Sequence, residues 1–314
     1  MRRLLLSLAL LCGAAQAAPP APVACPPAAS VPTQVQLEAW AATAPDRGVL
    51  WRLRRDGRES WLFGSLHVGR AEWTMPGPRL REAMQRAEVL ALELDPTDPQ
   101  TIAALGSVPV PSGLLNPALQ QRLAARFDAA CVPAQAMAGV HPLLQLGTLS
   151  VLEARWDGLD PGYGVEMVLL GWARAQGLPV VALESASEQL RALVPSDLAE
   201  ARQGLEQGLQ QLERQQVRTP LRRLTEAWAR GDLAELQSYE QWCDCVHDEH
   251  DRRWLRRLND ERNGPLAERI AALHADGKRA LVAVGALHMS GPQALPLLLA
   301  RLGFEVERVG PAAP

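Results

Sequence analysis

The sequence lacks the motifs of several large enzyme classes. It contains no Gly-x-Ser-x-Gly, no His-Glu-x-x-His, no phosphate-binding Walker loop and no dinucleotide-binding glycine fingerprint. The usual serine hydrolases, the zincin proteases and the nucleotide-binding enzymes are therefore not expected. The chain also lacks a basic excess, since its formal net charge is −3 and Lys278 is its one lysine. A nucleic-acid surface normally needs a concentrated basic face, so nucleic acid is not an expected partner.

The N-terminal apolar run is too short to remain in a bilayer, because a spanning helix needs roughly 20 residues. This run, Leu4 to Leu11, follows Arg2 and Arg3 and precedes the small-residue pattern Ala15-Gln-Ala17. The arrangement is typical of a cleavable secretory signal peptide, so we expect residues 1–17 to be removed. The mature chain is expected to be periplasmic or secreted, without a transmembrane anchor.

Cysteine is scarce. The chain has 5, and four remain after the predicted cleavage: Cys25, Cys131, Cys243 and Cys245. An even number of cysteines in an oxidising compartment favours disulfide bonds, and four cysteines allow three pairings. Only one residue separates Cys243 from Cys245, so we expect each of them to pair elsewhere. The alternative is a metal site, but Cys-x-Cys without a second matched pair is a weak zinc signal.

The rest of the sequence predicts one α/β domain. Residues 18–47 form a leader rich in proline and alanine with a short helix, and residues 48–310 form the domain. Asp56-Gly57 predicts a hairpin between two apolar strands at its start. Further apolar runs alternate with helical patterns, which is typical of a mostly parallel sheet flanked by helices. Residues 196–275 show only helical patterns and are expected to form a helical insertion.

Four predicted strands are followed by residues that can carry chemistry. The motifs Gly64-Ser-Leu-His67 and Gly285-Ala-Leu-His288 each place a histidine three residues after a glycine. Two other strands end in Glu93 and Glu184, where a carboxylate is costly to bury unless it is paired or bound to a cation. Ligands bind beyond the carboxyl ends of the strands in open α/β sheets. We therefore expect these four side chains to share one site.

Imidazole together with carboxylate suits Mn²⁺, Co²⁺ or Zn²⁺. We predict that His67, His288 and Glu93 bind such an ion, which would activate water and polarise a carbonyl. Glu184 and Glu166, the latter within an apolar helical pattern, are further candidate ligands or general bases. Arg262 either stabilises a developing oxyanion or pairs with one of these acids.

Each of these residues also has a purely structural interpretation. The histidines can be hydrogen-bonded packing residues at turns, and the glutamates can cap helices or pair with arginine. Asp95, which precedes a proline, is expected to form a local turn. His247 and His250 lie three residues apart on a predicted helix and could hold a metal, but a solvated helix face is favoured.

Taken in order, a set of short motifs resembles the TraB/GumN family, which includes pheromone-shutdown proteins and is related to the Tiki proteases. The matching motifs are Gly64-Ser-Leu-His67, Leu92-Glu93-Leu-Asp95, Gly164-Val-Glu166, Leu183-Glu184 with Gln189, Arg262-Asn263 and Gly285-Ala-Leu-His288-x-x-Gly291. The resemblance implies a fold akin to the erythromycin-esterase and ChaN-like proteins. It also implies a Mn²⁺- or Co²⁺-dependent peptidase site centred on His67, His288 and Glu93, with Arg262 in support.

Together, the residues and the resemblance predict an exported, metal-dependent hydrolase of peptidase type that acts on a peptide or a small molecule. Two alternatives stay open. One is a haem- or ligand-binding protein on the same scaffold, without turnover. The other is a metal-independent esterase in which histidine acts as a base.

Overall fold

The computed structural model describes residues 24–310, so the predicted signal peptide lies outside the described residues. Within this part of the chain, six strands form one sheet in the order β4-β3-β5-β2-β1-β6. Their bounds are β1 Val49–Arg55, β2 Arg58–Ser65, β3 Val89–Leu92, β4 Val180–Ala182, β5 Ala280–Gly285 and β6 Glu305–Val309. The four neighbours β4, β3, β5 and β2 are parallel, whereas β1 and β6 add an antiparallel edge. The predicted α/β class with a mostly parallel sheet is confirmed.

The hairpin predicted at Asp56-Gly57 is present. Strands β1 and β2 pair up to Arg55 and Arg58, which leaves the two-residue turn between them. Both turn residues adopt positive φ, 53° at Asp56 and 73° at Gly57. A primed turn requires this backbone conformation, and aspartate followed by glycine is the sequence that adopts it most readily.

Helices flank the sheet and extend beyond it. Their bounds in the described residues are α1 Gln34–Thr43, α2 Pro78–Arg86, α3 Pro99–Gly106, α4 Pro117–Ala129, α5 Pro142–Leu152, α6 Val165–Ala175, α7 Ala186–Leu193, α8 Leu198–Glu213, α9 Arg218–Ala229, α10 Leu233–Gln237, α11 Tyr239–Trp242, α12 Glu249–Leu258, α13 Asp260–Ala275 and α14 Leu295–Arg301. Among these residues the chain is helical between β4 and β5, as predicted for 196–275. Asp98 caps α3 and Ser185 caps α7 through their side chains.

The helical region between β4 and β5 packs in two places. Helices α9 and α13 contribute Trp228 and Ile270 to the main core around the sheet. Helix α8 instead packs with α4 and α5 in a second apolar cluster, which includes Phe127, Leu146 and Leu205. The insertion is therefore anchored on the sheet by α9 and α13, while α8 forms part of a separate helical layer.

The four cysteines within residues 24–310 form two disulfide bonds, Cys25–Cys131 and Cys243–Cys245. The prediction that Cys243 and Cys245 pair elsewhere is wrong. The intervening Asp244 has φ 51°, so the backbone folds back on itself. This brings the two Cα atoms to 5.1 Å, within the range that a disulfide spans. In the described residues, no helix combines the length and apolarity needed to cross a membrane.

Candidate functional site

The sheet order brings the four predicted strand ends to one edge. Strands β4, β3, β5 and β2 are consecutive neighbours and parallel, so their carboxyl ends point the same way. In the β2–β5 register, Ser65 lies opposite Gly285. His67 and His288 follow these two positions by two and three residues. The two imidazoles therefore emerge from adjacent strands on the same edge of the sheet, with Glu93 and Glu184 on the next strands across.

The end of β2 is held in place by the helical region. Trp228 on α9 donates its indole N–H to the carbonyl of Gly64 at 2.7 Å, in a buried position. A side chain at Gly64 would be obstructed, since a Cβ there would lie 2.7 Å from Val49 Cγ2 and 3.1 Å from the Ala286 backbone. The glycine before the first candidate histidine is therefore required by close packing against the segment that carries the second.

Glu93 lies at the centre of the candidate site. Its Oε1 accepts the backbone N–H of Gly285 at 2.6 Å, and its Oε2 accepts hydrogen bonds from Gln189 and Arg262. Burial alone would raise the pKa of Glu93, but His288, Arg262 and His67, together with the Gly285 amide, lower it to about 2. Glu93 is therefore ionised throughout the physiological pH range.

Arg262 on α13 connects two of the predicted carboxylates. Its Nε donates to Glu184 Oε1 at 2.9 Å, and its Nη2 contacts both Glu93 and Glu184. Burial opposes the charge on Arg262, but the two glutamates raise its pKa above the ordinary value. Glu184 is almost fully buried and engages Arg262 with both of its oxygens. In this structure Arg262 thus pairs with the acids Glu93 and Glu184, which is one of the two roles predicted for it from the sequence.

His288 is oriented by a neighbour on the same helix as Arg262. Asn263 donates from Nδ2 to the carbonyls of His288 and Gln293, which leaves Asn263 Oδ1 as an acceptor 2.6 Å from His288 Nδ1. The proton of the imidazole is therefore assigned to Nδ1. Burial lowers the pKa of His288 in spite of Glu93, so the ring is neutral near pH 7. With His288 neutral near pH 7, Arg262, protonated His67 and the Gly285 amide are the groups that keep Glu93 ionised.

His67 belongs to a second polar group within the site. Its Nδ1 lies 3.3 Å from Oε1 of Glu166, and Ser65 donates its hydroxyl to the same oxygen at 2.5 Å. Glu166 raises the pKa of His67 to about 9, although the His67 side chain is 70% exposed and solvent weakens this attraction. Burial would raise the pKa of Glu166, but His67 and Ser65 lower it. The serine contacts the glutamate and not the histidine, so this is not the arrangement of a serine-hydrolase triad.

His288 and Glu93 together present lone pairs of the kind that bind a cation. The remaining lone pair of His288, on Nε2, lies 3.7 Å from Glu93 Oε1, so two acceptors face each other. The ligand atoms of His67, Glu93 and His288 do not, however, all lie within 4.8 Å of one another. In the described residues, the group of three possible ligands that meets this distance is Asp248, His250 and Asp251. The common metal site of the two candidate histidines remains a prediction.

Sequence reasoning assigned no role to three residues of the site, Ser65, Gln189 and Asn263. All three stand inside the short motifs singled out above, so adjacency to a candidate residue was the available signal. Asp95 forms the expected local turn, in which its Oδ1 accepts from the backbone and the hydroxyl of Thr97. His274 is fully buried and hydrogen-bonds the hydroxyl of Ser60, which is a packing role.

The fold and the site together define an α/β protein with a cluster of histidine, glutamate and arginine at the carboxyl edge of its parallel strands. Residues 49–308 match the sequence profile of the TraB/PrgY/gumN family, and the chain belongs to this family. No curated protein and no solved structure matches the chain. The likeness to erythromycin-esterase and ChaN-like folds therefore stays a prediction.

Proposed function

We propose that this chain is an exported, metal-dependent hydrolase of peptidase type. The observation that carries the proposal is the arrangement of His288 against Glu93. Asn263 holds the proton on Nδ1 of His288, so the Nε2 lone pair faces an ionised carboxylate oxygen at 3.7 Å. A metal-binding histidine typically has its other ring nitrogen fixed in this way by a carbonyl or carboxylate.

The donor set fits a divalent transition ion held by His288, Glu93 and His67. An ion bound there would activate water and polarise a carbonyl group. The side chain of His67 is mostly exposed, so it can turn toward an ion, while Glu166 and Ser65 support it. Since Glu166 is ionised near neutral pH, it can accept a proton as a general base.

Arg262 and Glu184 help to fix the position of Glu93. Arg262 holds the carboxylates of Glu93 and Glu184 at fixed positions, which keeps Oε1 of Glu93 directed at His288. The two disulfide bonds suit an oxidising compartment, and residues 1–17 have the pattern of a signal peptide, which together support export.

The test is metal depletion followed by resupply. Purified protein, treated with a chelator and then given Mn²⁺, Co²⁺ or Zn²⁺, should regain cleavage of a peptide library. His288→Ala should abolish the regained activity, whereas His247→Ala, an exposed histidine outside the site, should retain it.

Three results would contradict the proposal, each in a different way. The metal-dependent hydrolase would be excluded if the folded protein bound none of these ions and cleaved no peptide in the presence of any of them. Ester turnover that survives chelators would favour the metal-independent esterase. A Soret band that appears on haem titration and is lost in His288→Ala would favour a haem-binding protein.

A further inference from the structure

His250 is a partly buried histidine that the candidate site does not use. It lies in the first turn of α12, and its side chain is 14% exposed. Both of its ring nitrogens are buried and lack a hydrogen-bonding partner in the described part of the chain. A buried polar atom without a partner is unfavourable, so a ligand bound to one of these nitrogens would be stabilising.

Two carboxylates stand beside this ring. Oδ1 of Asp251 lies 3.6 Å from Nδ1 of His250, while Oδ2 accepts the backbone N–H of His247 at 2.8 Å. Asp248 caps α12, and its Oδ1 accepts the backbone N–H of Asp251 at 3.0 Å. Ligand atoms of Asp248, His250 and Asp251 all lie within 4.8 Å of one another. Three short side chains thus converge from a single turn of the backbone.

The two aspartates have no arginine to neutralise them. In the described residues, neither Asp248 nor Asp251 forms a salt bridge with an arginine, because Arg252 and Arg256 on the same helix both pair with Glu249. Two carboxylates and an imidazole are therefore left facing one another without a positive group between them. A small cation is the ligand that can satisfy all three.

We propose that Asp248, His250 and Asp251 form a second divalent-cation site, separate from His67, Glu93 and His288, which takes a transition ion such as Zn²⁺. One imidazole with two carboxylates suits such an ion better than it suits the oxygen-preferring Mg²⁺ or Ca²⁺. Two zinc ligands at about 2.1 Å in a tetrahedral arrangement lie roughly 3.4 Å apart, close to the observed 3.6 Å.

The position of this site suggests a structural ion. The Cys243–Cys245 bridge immediately precedes it in the chain, and α12 leads into α13, which carries Arg262. An ion bound by the N-terminal cap and first turn of α12 would anchor the start of this helix pair.

Calorimetric titration of Zn²⁺ into the full chain carrying His288→Ala tests the proposal with the candidate active site disabled. This protein should bind one equivalent of Zn²⁺. Adding His250→Ala or Asp251→Asn should weaken binding by more than about a hundredfold, since loss of a direct ligand exceeds the effect of losing an outer-shell partner. Adding His247→Ala instead, which removes an exposed histidine three residues before His250, should leave the affinity for Zn²⁺ unchanged.

Thermal unfolding supplies a second measurement. Zn²⁺ should raise the unfolding midpoint of the His288→Ala protein but not that of the His250→Ala/His288→Ala protein, and the two should unfold alike without metal. The proposal is overturned if the His288→Ala protein takes up no Zn²⁺, or if His250→Ala and His247→Ala have equal effects. Failure of the hydrolase proposal can be distinguished from failure of this one. It would appear as absent Zn²⁺ binding in the single variant His250→Ala, which keeps His288 and the candidate active site.

Discussion

Replacing Arg262 with glutamine tests whether one guanidinium holds the candidate site together. Arg262 contacts Glu93 and Glu184, whose side chains are 12% and 3% exposed, so the substitution leaves two buried carboxylates without their cation. Breaking a buried ion pair by removing one partner costs about 3–5 kcal/mol. Arg262 is one of several groups, after His288 and with His67 and the Gly285 amide, that lower the pKa of Glu93, so its loss should also raise that pKa. We expect Arg262→Gln to lose about 3–5 kcal/mol of unfolding free energy at pH 7.

The loss should shrink as the pH falls. In the wild type, the lowered pKa of Glu93 contributes stability that is present above about pH 4.5 and disappears as the pH falls through about 2. In the variant, burial is no longer opposed by Arg262, so the pKa of Glu93 rises and the folded state takes up a proton. The two proteins should therefore differ most at neutral pH and least where both carboxylates are protonated.

Urea unfolding followed by tryptophan fluorescence, at pH 7 and at about pH 4.5, measures both effects. Arg279→Gln is the matched control, because it removes the solvent-exposed ion pair with Glu88 and should leave the urea midpoint nearly unchanged. If Arg262→Gln unfolds at the wild-type urea concentration at pH 7, the buried charge imbalance inferred here does not exist. An equal loss at both pH values would assign the effect to packing and not to charge.

Three further outcomes are expected. Asn263→Leu should lose about 1–3 kcal/mol of unfolding free energy and most peptide cleavage, because the Nδ1 proton of buried His288 loses its acceptor; urea unfolding and turnover measure the two effects. Glu166→Gln should lower the pKa of His67 from about 9 toward 6.5, which NMR of the imidazole measures. In the wild type, the raised pKa stabilises the folded state below about pH 6.5, and this stabilisation is lost as the pH rises through about 9; the variant should lack it. Replacing Cys25 and Cys131 by serine should destabilise the protein by about 4–5 kcal/mol, whereas replacing Cys243 and Cys245 should cost only about 1–2 kcal/mol. The first bridge joins residues with a sequence separation of 106 and the second joins residues with a separation of 2, so the first restricts the unfolded chain more. A comparison of urea midpoints tests this ranking.

The parts of the fold that could be predicted are those set by local signals. Asp56-Gly57 specifies its turn through the backbone conformations that these two residues tolerate. Asn116 followed by proline is a local signal for a helix start, and the Asn116 side chain caps α4 by accepting the N–H of Leu119. The shared edge of the candidate site was also predictable, because parallel strands in one sheet must end on the same side.

The contacts inside the site could not be predicted, because they join distant parts of the chain. The Gly285 amide that binds Glu93 is 192 residues away from it, and Arg262 is 78 residues from Glu184. The sequence placed these groups near one edge but could not show which acid Arg262 would contact. The Cys243–Cys245 bridge was mispredicted for a local reason, since it depends on Asp244 adopting a positive φ that is uncommon for a residue other than glycine.

The charge balance of the site links its two halves. Within the part of the chain that the structure describes, three largely buried carboxylates, Glu93, Glu166 and Glu184, face one permanent cation, Arg262. Arg262 serves Glu93 and Glu184 together, so the proton held by His67 is what offsets Glu166. If His67 gives up this proton on turning toward a divalent ion, the ion replaces one positive charge with two, and the site is left closer to neutral than before. Uptake of metal should therefore release a proton and should tighten as the pH rises toward the pKa of His67, about 9. The raised pKa of an exposed histidine is then a consequence of an acidic site that has too few cations of its own.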